Sequence, residues 1–203
     1  MLDEIRSRFD SNLERAYNLL TLYVHLHEGE KGRRPVHSTD ILRSATIFTH
    51  AALEDFLRGI AAWKYPDSPE SVLNDVPMVG SSSHARPEKF FLGKLVAHKE
   101  KTAQEIINLS VKAFLNTFTV NNTTDISSFL CKFDVAIEKV NKHFDLISTL
   151  IERRHHIVHQ ADKNENRGRG NHQARPIHQK TVLSWINAVN DFGSDVMNEL
   201  LDQ

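Results

Sequence analysis

The 203 residues carry 25 Lys and Arg against 26 Asp and Glu, a formal net charge of −1, with 40% hydrophobic and 25% charged residues. Those proportions are globular, so the chain can bury one sizeable core and is too apolar to be disordered over most of its length. Near-neutrality excludes a protein that coats nucleic acid through a global basic field; an anionic partner has to be met by a local patch.

Met1 to Arg6 has acids and no apolar stretch, so no signal peptide is expected. Apolar residues then recur at helical spacing through Ile5, Phe9, Leu13, Tyr17, Leu20 and Val24, predicting a first long helix over residues 3 to 27 that Gly29, Gly32 and Pro35 bring to an end. Ser38, Thr39 or Asp40 can cap a second helix from Ile41 to about Tyr65, where Pro66 stops the pattern. Its apolar run is nearly continuous, but Arg43, Glu54, Asp55 and Arg58 make a bilayer span too costly, so a central core helix is expected. Residues 66 to 87, rich in Pro, Gly and Ser, read as a long connection with one short turn near Pro69 to Asn74. Helical spacing returns from Pro87 through Phe90, Phe91 and Leu95 to Ile106, Ile107, Val111, Phe114 and Leu115, with a break near Lys99 to Thr102.

Asn121 to Asp125 marks a turn, and a short helix is expected over Ile126 to Phe133. Within it lies Cys131, the single cysteine, which excludes an intrachain disulfide, fits a reducing, cytoplasmic setting and reads as a buried small hydrophobe. The strongest period runs through Ile137, Val140, Phe144, Ile147, Ile151 and Val158, predicting one helix from about Asp134 to near Ala161. Residues 162 to 176 form a basic loop, and a last helix is expected over Lys180 to Leu201. No alternating strand pattern of useful length occurs. The expectation is one all-α domain over residues 1 to 203, a helical bundle of about five main helices plus short ones.

The chemistry concentrates in Glu152-Arg153-Arg154-His155-His156-Ile157-Val158-His159-Gln160-Ala161-Asp162. Arginine offers a fixed fork of donors for phosphate oxygens, and histidine exchanges a proton near neutral pH. Together they can cleave RNA through its own 2′-hydroxyl with no metal or other cofactor. On a regular helix His155 and His159 share a face, whereas Arg154 and His159 stand about 140° apart. Either the helix distorts there or a second copy completes the site across a two-fold axis, with Ile157 and Val158 supplying apolar contact area. Local charge points the same way: residues 151 to 180 hold Arg153, Arg154, Lys163, Arg167, Arg169, Arg175 and Lys180 against Glu152, Asp162 and Glu165.

Arg154-His155-His156-Ile157-Val158-His159 resembles the R-x4-6-H signature of the HEPN superfamily, including its polar residue after the arginine, and Gln160-Ala161-Asp162 looks like the tail of that motif. Thr49 to Leu57 is similar to the early core helix of stand-alone HEPN proteins. The resemblance implies antiparallel helices, a homodimer with a cleft where two motifs meet, and metal-independent cleavage of RNA to a 2′,3′-cyclic phosphate and a 5′-hydroxyl. It also implies a toxin or anti-phage role, with an antitoxin or immunity protein as partner. Arg154, His159 and His155 become the expected catalytic set, and Arg153, Arg167, Arg169 and Arg175 the RNA-backbone contacts. One subgroup pairs a tyrosine two residues after the histidine with a nucleotidyltransferase antitoxin; Ala161 stands there, so that partnership is not carried over.

Plainer readings stand beside these. The arginine and histidines can serve as cations at a helix C-terminus, and the motif can belong to a non-catalytic HEPN module that binds protein, nucleotide or RNA. His156 reads as a packing or solvated residue. His50, Glu54 and Arg58, four residues apart, read as a solvent-side ion-pair row rather than an acid catalyst. Zinc held by His155, His159 and His172 or His178 lacks the glutamate of a zincin helix, where His156 stands. Gly168-Arg169-Gly170 follows no strand and reads as a loop hinge.

Overall fold

A computed structural model describes residues 1–29, 35–80, 92–164 and 174–202, Lys94 by its backbone alone. Every regular element among them is helical: α1 (Leu2–Leu26), α2 (Val36–Lys64), α3 (Glu70–Leu73), α4 (Ala103–Leu115), α5 (Thr123–Cys131), α6 (Ile137–Val140), α7 (Phe144–Gln160) and α8 (Gln179–Leu201), with 3-10 turns at Tyr65–Asp67, Leu92–His98 and Asn141–His143. One antiparallel bridge, Lys163 to Ala174, is the only extended pairing among the described residues. The expected all-α helical bundle is therefore the fold found, and no described helix is long and apolar enough to cross a membrane. The chain falls into two compact units, one made of Met1–Phe56 and Val120–Gln203, the other of Leu57–Thr119.

In the first unit α8 is the hub: α1, α6 and α7 pack against it, and α5 packs on α7. The reason is its composition, since Val182, Trp185, Ile186, Val189, Phe192, Val196, Met197 and Leu200 form a wide apolar stripe at helical spacing, all of it buried. The matching face of α1 is Ile5, Phe9, Leu13, Ala16, Leu20 and Tyr23. That line steps by three or four residues, so it leaves Tyr17 and Val24, expected inside, 51% and 44% exposed. Within α2, Leu42, Ala45, Ala52, Leu53 and Phe56 are buried together with Thr46 and Thr49. The two threonine hydroxyls donate to the carbonyls of Leu42 and Ala45, which satisfies them without a partner from another element.

Two boundaries and the setting of Cys131 differ from the sequence expectation. α2 begins at Val36, not Ile41, directly after Pro35, whose carbonyl accepts the Thr39 N–H at 3.3 Å; Ser38, Thr39 and Asp40 lie inside the helix rather than capping it. The single helix expected over residues 134 to 161 is broken: Asp134 takes φ 56°, and α6 and a 3-10 turn precede α7. Cys131 is exposed, because α5 turns Ile126, Phe129 and Leu130 inward and the next position then points away.

The second unit carries the end of α2, α3 and α4. Tyr65, 1% exposed, meets Phe114 edge-on at 5.9 Å. The break expected near Lys99 to Thr102 is present, and α4 opens with a capping box in which the Thr102 hydroxyl accepts the Glu105 N–H while the Glu105 carboxylate accepts the Thr102 N–H. The turn foreseen near Pro69 to Asn74 is α3; residues 81–87 of the expected connection lie outside the described residues.

Candidate active site

The motif closes α7, and the regular helical period sorts its side chains onto three faces. Arg154 stands seven, four and three positions after Ile147, Leu150 and Ile151, which are buried, so it continues the inward face and is itself half-buried. His155, Val158 and His159 share an exposed ridge, with the rings of His155 and His159 4.7 Å apart between centroids and Val158 48% exposed. Thr149, Glu152, Arg153 and His156 line a third face, one wall of a cleft of about 230 Å³ completed by Arg175, Pro176, Ile177, His178, Thr181 and Trp185. The helix stays regular to Gln160, so within one chain Arg154 and His159 diverge as helical geometry requires.

Just beyond the helix the backbone turns sharply. Ala161 and Asp162 adopt the left-handed conformation, with φ of 50° and 52°, and both of their N–H groups donate to the His156 carbonyl. The turn brings the Asp162 carboxylate inward, where it is 1% exposed. Its Oδ2 accepts from Arg43 Nε and from Arg153 Nη2, each at 2.7 Å. The guanidinium groups are spent on internal acceptors. Arg43 also donates to Thr39 Oγ1, Asp40 Oδ1 and the Arg175 carbonyl, and Arg153 Nη2 to the carbonyls of Arg175 and Pro176, each at 3.0 Å. Burial pushes the Arg153 guanidinium below its ordinary range, against the pull of Asp162. Arg153, expected to grip RNA backbone, is thus an internal strut that ties the end of α7 to α2 and to the strand of chain leading into α8. Arg175 contributes its main chain to the same network and its side chain to the cleft. Arg167 and Arg169 lie outside the described residues.

The row of His50, Glu54 and Arg58 is not solvent-side. His50 is 1% exposed and the Glu54 side chain 14%. Glu54 Oε2 lies 3.7 Å from His50 Nδ1, and its Oε1 accepts the Val120 N–H at 3.0 Å. Arg58 donates to the Phe118 carbonyl at 2.9 Å. Burial lowers the His50 pKa; Glu54 pulls it up, and the positive charge of Arg154 pushes it down again. Arg154 on α7 and His50 on α2 are therefore electrostatic neighbours. The available sequence signal was two titratable residues one turn apart in a helix whose other positions are apolar, a pattern that fits burial better than exposure.

Of the other histidines, His156 Nδ1 is 2.7 Å from Gln160 Oε1, which occupies it locally. Among the described residues no three His, Cys, Asp or Glu side chains converge closely enough to hold an ion; His178 sits in the cleft beside Arg153, away from the ridge of His155 and His159.

An all-α chain with a late R-x4-H helix defines a HEPN-type protein, and comparison with known families narrows it. The family model RiboL-PSP-HEPN matches residues 10–202, and the chain belongs to that family. No curated protein and no solved structure matches it.

Proposed function

We propose that this protein is an RNA endonuclease that cleaves through the substrate's own 2′-hydroxyl, without a metal, at a cleft where two copies of α7 meet. His159 acts as general base or acid at the 2′-hydroxyl or the leaving oxygen, His155 orients it or touches phosphate, and Arg154 neutralises charge that builds on the phosphorane. Lys163, Arg167, Arg169 and Arg175 hold the RNA backbone, so binding weakens as salt rises. The observation that carries this reading is the exposed ridge of His155, Val158 and His159 beside a half-buried Arg154, in a chain of HEPN family. On the same reading the protein is a toxin or anti-phage effector restrained by an antitoxin or immunity protein.

The test is incubation of the purified protein with total RNA in EDTA. Fragments ending in cyclic phosphate are expected, with Arg154→Ala and His159→Ala each at least about 100-fold slower. Intact RNA that is nonetheless retarded on a gel would make the protein a non-catalytic binding module, and variants as fast as wild type would remove both side chains from the reaction.

A further inference from the structure

We propose that the cleft beside the motif holds one base of the RNA, a guanine whose adjacent N1–H and 2-amino groups donate to the Glu152 carboxylate, so that the protein cuts next to guanosine.

The cleft is built before any ligand arrives. One wall is α7, with Glu152 and His156; the other is the chain from Arg175 into α8, with His178 and Thr181. The second wall is fixed through its main chain: the Arg175 N–H donates to the Asp162 carbonyl at 2.8 Å, and the carbonyls of Arg175 and Pro176 accept from Arg153 Nη2, each at 3.0 Å. Between the walls, Trp185 Nε1 donates to Thr149 Oγ1 at 2.9 Å, which satisfies the indole and leaves its ring, with Ile177 and Pro176, as an apolar lining. The volume of about 230 Å³ lies below the roughly 300 Å³ at which pockets for drug-sized molecules begin, so the space suits a single flat ring system.

The remaining polar groups decide which ring. His156 Nδ1 lies 2.7 Å from Gln160 Oε1, an oxygen that only accepts, so Nδ1 carries the proton and Nε2 of the neutral ring is an acceptor. Glu152 Oε1 stands 3.8 Å from that Nε2, beyond hydrogen-bond reach, and its side chain is 73% exposed. The α7 wall thus offers acceptors, two of them side by side on one carboxylate. Guanine has two adjacent donors on its pairing edge. Adenine and cytosine set a ring lone pair beside the amino group, and uracil sets carbonyls on both sides of its N–H, so each of them turns a lone pair toward a carboxylate. A phosphate in the same place would meet the negative charge of Glu152 and the apolar lining. On the facing wall, Thr181 and His178 supply donors for the O6 and N7 acceptors of guanine, while Arg175 stays with the backbone phosphate. Unstacked RNA bases are read in this way, on their edges and against apolar or aromatic surfaces. His156 and His159 are three residues apart, which puts their Cβ atoms about 5 to 6 Å from each other, so a base held against His156 belongs to a nucleotide adjoining the phosphate at His159.

The position of the base relative to the cut rests on the endonuclease reading; the site itself does not, and two measurements keep them apart. In equilibrium dialysis at ligand concentrations up to about 1 mM, guanosine 5′-monophosphate should bind at least about tenfold more tightly than the adenosine, cytidine and uridine monophosphates. Inosine monophosphate, which lacks the 2-amino group, should fall in between, and Glu152→Gln, which puts an amide N–H2 where one acceptor stood, should abolish the preference at an unchanged urea midpoint. In EDTA, an oligonucleotide with one guanosine in a run of uridines should be cut beside the guanosine at least about tenfold faster than between uridines, and Glu152→Gln should remove the difference. Four monophosphates bound alike, or none bound, would overturn the proposal, and so would a guanosine preference that survives Glu152→Gln. RNA cut without regard to guanosine also overturns it while leaving the endonuclease reading in place. Selective binding of guanosine monophosphate by a protein that leaves RNA intact sinks the endonuclease reading and supports the base site.

Discussion

Two adjacent arginines, Arg153 and Arg154, sit in almost identical sequence surroundings and do different things because a helix rotates successive side chains by about 100°. Arg153 faces Asp162, and Asp162 faces two guanidinium groups from a burial of 1% exposure. Desolvating a carboxylate is costly, and charge-assisted hydrogen bonds at 2.7 Å are what offset it. Only Oδ2 is used, since Oδ1 is buried with no partner. Removing the negative charge therefore takes from Arg153 the carboxylate it pairs with and leaves Arg43 with the exposed Asp40. Asp162→Asn is expected to cost about 3 to 5 kcal/mol of stability, read as a lower urea midpoint with an unchanged slope. Stability within about 0.5 kcal/mol of wild type would mean that the backbone turn at Ala161 and Asp162, not the ion pair, closes this end of α7.

At the scale of helices, α1 and α8 approach closely where Gly193 faces Phe9. A Cβ placed on Gly193 would stand 2.4 Å from Phe9 Cε1 and 2.6 Å from Cζ, closer than carbon atoms pack. Phe9 cannot yield easily, being 1% exposed with its ring 4.5 Å from that of Phe56. Alanine is the better helix former by about 1 kcal/mol, but overpacking costs about 1 to 3 kcal/mol or more, and here the ring has to move. Gly193→Ala is therefore expected to lower Tm by several degrees, and Phe9→Leu in the same chain to return part of the loss. A rise in Tm would show that α1 shifts at little cost. Such an approach is invisible in sequence, where a glycine inside a helical pattern signals only weakness. What was legible were the long helices, because α1, α2 and α8 each bury a stripe of apolar residues that the chain must repeat every three or four positions. The break before α7 was not, for a definite reason: Ile137, Val140, Phe144 and Ile147 keep a spacing of three or four across the 3-10 turn at Asn141–His143, so the apolar period runs on where the α-helix does not. The family was legible from the motif that Arg154 and His159 delimit. The motif's surroundings were not, since the internal use of Arg153 and the burial of His50 and Glu54 depend on pairings between residues far apart in the chain.

For the whole molecule, the proposed reaction has to reconcile an unbroken α7 with two side chains that leave it about 140° apart. If one copy lends Arg154 and its two-fold mate lends His159, each dimer holds two composite sites, and neither site is complete in a monomer. A mixture of inactive variants separates this from a site built within one chain. In a heterodimer of Arg154→Ala with His159→Ala, one composite site loses both groups and the other keeps both. Heterodimers make up half of a randomly assorted population, so co-expression of the two variants is expected to restore about a quarter of the wild-type rate, although each variant alone is inactive. Val158→Asp, which puts a charge on the exposed ridge, should abolish that recovery and shift sedimentation toward the monomer. If the co-expressed variants remain as inactive as each is alone while sedimenting as a dimer, then Arg154 and His159 do not meet across the two-fold axis. A site confined to one chain would then require the long Arg154 side chain to reach around α7 when RNA binds.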